Sequence, residues 1–145
     1  MGAIILPPTG VICLDTAPVI YSVEKHADYW ALMQPVWQAS QAGQIGIVVS
    51  ELALLETLVA PLKNADAGLI AAYERLLTKT EVRLLPITEQ VLREAASLRA
   101  QFNLKTPDAI HAACALIHGC DLFVTNDPIF RRVPNLKVEI LKDLI

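Results

Sequence analysis

The chain has 145 residues, room for one domain with a full hydrophobic core and not for two of ordinary size. Hydrophobic residues make up 54% and charged residues 19%, which excludes a disordered chain. The net charge of −3 gives no global pull on nucleic acid, so any such contact needs a local basic patch.

The leader, residues 1–9, is apolar but lacks a basic start, and Pro7 and Pro8 interrupt it. It does not read as a secretory signal. It is expected to be an extra edge element or the result of a misplaced start. No stretch of about 20 apolar residues follows, so no membrane span is expected. Cys13, Cys114 and Cys120 are odd in number and lack Cys-x-x-Cys spacing. They read as small buried hydrophobes of a reducing, cytoplasmic protein, not as disulfides or zinc ligands.

Five short apolar runs read as buried strands: 10–14, 45–49, 82–86, 122–125 and 137–141. Amphipathic segments lie between them. Residues 26–42 carry Trp30, Met33 and Trp37 at helical spacing and stop at Gly43. The two tryptophans share a face suited to core or subunit packing rather than to base stacking. Residues 50–61 and 65–77 are apolar enough to form an exposed groove for a partner helix. Residues 88–103 start at Thr88, a natural N-cap. Residues 106–118 start with Thr106 as N-cap and Pro107 at the first helical position, and Gly119 ends them. This alternation predicts one α/β domain over 1–145 with a mostly parallel sheet. In such a sheet every strand's carboxyl end lies on one edge, where ligands bind.

Four acids fall near that edge, and each has an ordinary structural explanation. Asp15 follows the first strand and reads alone as a helix N-cap. Glu51 suits the helix dipole in a first turn. Glu56 lies deeper in a helix that is apolar nearly all round, so it is expected to be buried. A buried carboxylate needs a basic partner or a cation, and both readings stay open. Asp108 sits in the first turn of its helix, where the dipole favours an acid. Asp127 precedes Pro128 after the fourth strand and reads as an N-cap. Asp121 opens that strand at the opposite edge and reads as a turn residue.

Their joint placement calls for more. Asp15, Glu56, Asp108 and Asp127 converging on one edge would repel one another strongly at neutral pH. A hard divalent cation, Mg²⁺ or Mn²⁺, relieves that repulsion. Acidic sites of this kind carry out metal-assisted phosphodiester hydrolysis. Thr16 and Thr125 are expected to orient the carboxylates, with Asn126 a weaker candidate. Lys105, Arg131 and Arg132 flank the acids and could hold phosphates. His111 is expected on the helix surface or behind a carboxylate, and His118 is explained by the dipole of its helix.

At this point the chain resembles the PIN-domain ribonucleases, and within them the VapC-type toxins of toxin–antitoxin pairs. The stretches CLDTAPVIY, VVSELALLETLVA, TPDAIHAACAL and GCDLFVTNDPIF carry the resemblance, with Asp15, Glu56, Asp108 and Asp127 as the family acids. It implies a three-layer α/β/α fold with a five-stranded parallel sheet and Mg²⁺- or Mn²⁺-dependent RNA cleavage. It also implies a homodimer and a small antitoxin partner.

Other phosphoryl enzymes fit less well. A haloacid-dehalogenase-like phosphatase needs Asp-x-Asp after the first strand, where this chain has Asp15-Thr16-Ala17. A receiver domain needs paired acids near its first strand and a late lysine at a strand end. A P-loop binder needs GxxxxGK[ST], which is absent. The remaining alternative is a catalytically inactive PIN-like binding or scaffold protein.

Overall fold

The computed structural model describes residues 2–145; Met1, the first residue of the leader, lies outside the described residues. Five strands form one sheet: β1 (Gly10–Leu14), β2 (Ile45–Ser50), β3 (Arg83–Leu85), β4 (Leu122–Thr125) and β5 (Val138–Ile140). Their order is β3-β2-β1-β4-β5 and every pairing is parallel. Six helices connect them: α1 (Thr16–Val23), α2 (Trp30–Gln41), α3 (Leu52–Lys63), α4 (Ala67–Thr78), α5 (Glu89–Phe102) and α6 (Thr106–His118).

Strand pleating makes the three layers. Ile12, Leu14, Ile47, Val49, Leu122 and Val124 face one side, with Val19, Met33, Val36, Ala53, Tyr73 and Leu77 from α1–α4. Cys13, Val48 and Phe123 face the other, with Val91, Ala95 and Leu98 of α5 and Ala109, Ala112 and Ala113 of α6. The apolar runs are continuous because both faces of the inner strands are covered. The fold is therefore the three-layer α/β/α arrangement expected.

Some boundaries move. The helix expected from residue 26 begins only at Trp30, because α1 ends at Val23 and the chain reverses through Lys25 at φ 52°. α1 follows β1 directly, with Asp15 at its N-cap as expected. Thr106 is already helical; Lys105 takes the N-cap position and caps nothing through its side chain. Thr88 caps α5 as expected, its hydroxyl accepting from the Val91 amide at 3.2 Å. Among its described residues the leader forms no strand. It lies against the C-terminal turn, where the Gly2 amide donates to the Leu144 carbonyl and Ile4 is buried. All three cysteines are free, two of them buried.

The amino edge of the sheet is closed by Asp121. Its carboxylate accepts from the Val11 amide at 2.8 Å, and its own amide donates to the Val11 carbonyl. Gly10, at φ 123°, makes room for it, since a Cβ there would sit 2.1 Å from the Asp121 carboxylate.

Candidate functional site

The carboxyl edge differs in kind. β1 passes directly into α1 there, and Asp15 fills the junction. Its Oδ1 accepts from the Thr16 amide at 2.8 Å, which caps α1. Its Oδ2 accepts from the Thr125 hydroxyl at the end of β4, at 2.7 Å. That hydroxyl also accepts from the Asp127 amide at 3.1 Å, so Thr125 ties the turn carrying Asp127 to Asp15.

Glu56 reaches the same junction from α3. The Thr16 hydroxyl donates to its Oε1 at 2.7 Å. His111 of α6 places Nε2 2.6 Å from the same oxygen. The expectation that Glu56 is buried needs correction: its side chain is 29% exposed. Only one stripe of α3, with Ala53, Thr57 and Pro61, turns fully inward, and Leu55, Val59 and Leu62 are exposed instead. The partner of Glu56 is neither arginine nor lysine but His111. That hydrogen bond, and then the one from Thr16, hold its carboxyl below the usual value against the opposing effect of burial.

His111 is not on the surface. It is 2% exposed, within a run of α6 that is buried from His111 to Ala115. Its Nε2 lies 3.2 Å from the Thr16 hydroxyl and 3.7 Å from Asp15 Oδ1, the latter too long for a hydrogen bond. Its Nδ1 has no partner. The ring proton therefore belongs on Nε2, facing the Glu56 carboxylate.

Asp108 stands half-buried in the first turn of α6 and makes no hydrogen bond through its carboxylate among the described contacts. Burial pushes its pKa up, and the negative charges of Asp15, Asp127 and Glu56 push it further, partly offset by His111. All three sequence-expected neighbours thus act on Asp108 electrostatically. Asp127 is exposed and caps the short 3-10 turn Pro128–Arg132, its Oδ1 accepting from the Ile129 amide at 3.0 Å. Among the described residues no arginine or lysine pairs with any of the four acids; the ion pairs to a basic side chain are Glu89–Arg93 and Asp143–Arg131.

The donor set therefore fits a hard cation: oxygen ligands, negative in sum and without a basic counter-ion. The fit is in the chemistry of the donors. Among the described residues no three His, Cys, Asp or Glu side chains already stand close enough together to grip an ion.

The other expected residues divide. Asn126 does not face the carboxylates. Its amide donates to the Tyr21 hydroxyl at 3.1 Å and its carbonyl oxygen accepts from the Lys142 amide at 2.8 Å, so it holds the turn between β4 and β5. Arg131 is engaged by Asp143, and Arg132 leans on the Phe102 carbonyl at 3.5 Å. Lys105 is exposed one turn before Asp108. Glu51 is taken up by the backbone, accepting from the Ile87 amide at 2.8 Å beyond β3. The residue that sequence reasoning undervalued is His111. The rule that singled out Glu56, a polar side chain in a helix apolar nearly all round, applies equally to a histidine among Ala109, Ile110, Ala112 and Ala113.

The PIN domain family matches residues 12–136, a span that includes all four acids. The chain belongs to the PIN domain family. Solved structures agree on the fold. VapBC2 from Rickettsia felis, bound to a DNA fragment from its promoter, superposes with a TM-score of 0.71 at 20% identity, covering 90% of this chain and 98% of that one. DNA-bound VapBC from Salmonella typhimurium gives 0.70 at 20% identity, with 90% and 97% covered. FitAcB from Neisseria gonorrhoeae gives 0.68 at 18%, with 92% and 99% covered. No curated protein sequence matches this chain. This PIN domain also has no helix, among the described residues, long and apolar enough to cross a membrane.

Proposed function

We propose that this PIN domain is a divalent-metal-dependent endoribonuclease, the toxin of a toxin–antitoxin pair. One observation carries the reading. Asp108 is half-buried, bonded to nothing, and pushed up in pKa first by burial and then by three other carboxylates at the same sheet edge. Such a residue costs folding energy, and the fold offers it in return only the dipole of α6 and the partial offset from His111. A cation shared with Asp15, Glu56 and Asp127 gives it a use.

When bound there, Mg²⁺ or Mn²⁺ would polarise a phosphoryl oxygen and lower the pKa of a water molecule. The chain's own residues prepare for this. Thr16 and Thr125 fix the carboxylates of Glu56 and Asp15. Lys105 precedes α6 and Arg132 leans on the Phe102 carbonyl nearby, and on this reading the two would hold RNA phosphates beside Asp108. Arg131 contributes less, since Asp143 already engages it.

The partner readings rest on surface chemistry and on relatives. The three structures above are complexes named VapBC or FitAcB. On this chain, Leu55, Val59 and Leu62 form an exposed apolar stripe on α3. Trp37, Gln41 and Leu76 line adjoining depressions between α2 and α4. An amphipathic antitoxin helix suits the depressions, and a second copy of the chain suits the stripe.

One observation favours the scaffold alternative: the acids do not already form a grip for an ion. The test compares wild type with Asp15→Asn on a mixed RNA pool, with Mn²⁺ and with EDTA. Cleavage by wild type in Mn²⁺ alone supports the nuclease. Equal cleavage by both proteins points to a contaminant, and cleavage by neither supports the scaffold.

A further inference from the structure

Two donors meet on one oxygen of Glu56. The Thr16 hydroxyl lies 2.7 Å and His111 Nε2 2.6 Å from Oε1, while Oε2 receives no hydrogen bond among the described residues. A carboxylate oxygen has two in-plane lone pairs, and both on Oε1 are taken. Only Oε2 is left to face a cation.

The arrangement is stiff. His111 is 2% exposed and cannot turn its N–H to water. Its Nδ1 has no partner, so every polar contact of the ring runs through Nε2, to Glu56 at 2.6 Å and to the Thr16 hydroxyl at 3.2 Å. Leaving Glu56 would exchange the short bond to a charged carboxylate for the longer contact to the Thr16 hydroxyl alone, a loss the fold resists. Thr16 is held just as firmly, being the first residue of a helix capped by Asp15.

From this geometry we infer that His111 is a positioning residue that pins Glu56 by one oxygen and so biases the site toward Mg²⁺ and Mn²⁺ over Ca²⁺. The inference rests on the metal site of the proposed function and adds its selectivity. Small octahedral ions take one oxygen from each carboxylate. Ca²⁺ accepts more ligands and is served well by both oxygens of a carboxylate. A Glu56 free to swing and offer both oxygens would suit Ca²⁺; the pinned one does not.

The test measures Mn²⁺ binding to the full chain by the resonance signal of free Mn²⁺, and Ca²⁺ binding by competition. His111→Ala is expected to weaken Mn²⁺ about tenfold or more, the cost of losing a group that orients a ligand. Ca²⁺ affinity is expected to hold within about twofold, because the released carboxylate gains its second oxygen. His111→Gln, which can return an N–H to Oε1, is expected to recover much of the Mn²⁺ affinity. Should His111→Ala fail to fold, Thr16→Val removes the other donor and must show the same selective loss. Unchanged Mn²⁺ affinity, or equal weakening of both ions, overturns the inference while leaving the metal site standing. A wild type that binds no Mn²⁺ removes the metal site itself.

Discussion

The two edges of the sheet treat acids in opposite ways. At the amino edge Asp121 is fully used: its carboxylate takes the Val11 amide, and Gly10 clears the space. At the carboxyl edge four acids share a neighbourhood without one lysine or arginine pairing with them among the described residues. Even there the acids grade from structural to idle. Asp15 caps a helix and Asp127 a short turn, Glu56 is clamped, and Asp108 makes no hydrogen bond and meets only the dipole of α6 and the partial offset from His111. An acid is informative about function in proportion to how little the backbone needs it.

Substitutions at the two edges should separate sharply. Asp15→Asn keeps an N-cap oxygen but lowers the charge of the site. RNA cleavage is expected to fall by more than about 100-fold, beyond the loss typical of an orienting group. Asp121→Asn, at the other edge, should leave cleavage within about twofold, since it lies at the wrong end of the strands for the site. A comparable loss from both would erase the distinction.

Metal addition sharpens the same contrast. If Mn²⁺ binds the folded chain alone, a concentration near 100 times its Kd stabilises it by about 2.7 kcal/mol. For a chain of this size that is a rise in Tm of roughly 5–10 °C. Thermal scans should show the rise in wild type and in Asp121→Asn, and little of it in Asp108→Asn.

The smallest effect expected is the most diagnostic. Asp108 has a raised folded-state pKa, so the native state holds its proton more tightly than the unfolded chain. Stability from this group therefore falls as pH rises from the unfolded to the folded pKa, and the penalty persists above. Metal-free Asp108→Asn should melt higher than wild type at pH 7, by about 1–2 °C after allowance for solvent screening. The gap should close in acid. Glu56 has the opposite sign: its lowered pKa adds stability above the unfolded value, lost as pH falls through the folded one. Glu56→Gln should thus narrow toward wild type at low pH from a lower Tm at pH 7.

Much of this was legible in the order of residues. Strands buried on both faces must be apolar throughout, and β4 falls on the four residues expected. Thr88 and Gly119 mark helix ends by chemistry that does not depend on the rest of the fold. Three of the four acids stand out because Asp15 and Asp127 follow strands and Asp108 opens a helix; Glu56 stands out as a lone acid inside an apolar helix entered from β2. Two things were not legible. α1 is only eight residues long and follows β1 after the single residue Asp15, so the N-cap is visible in the sequence and the short helix behind it is not. The meeting of His111 with Glu56 joins α6 to α3 across 55 positions, and only the stacking of layers creates it. Asn126 shows the reverse: its place beside Asp127 suggests a role at the acids, while Tyr21 and Lys142 claim its amide.

The double duty of Asp15 bears on how such a protein could decay. Because its carboxylate starts α1 and fastens the end of β4, selection for folding alone would preserve it in a descendant that no longer cut anything. Asp108 has no such protection. Its replacement by a neutral residue would relieve charge repulsion, so on the nuclease reading proposed above that position is the first expected to change once cutting is lost.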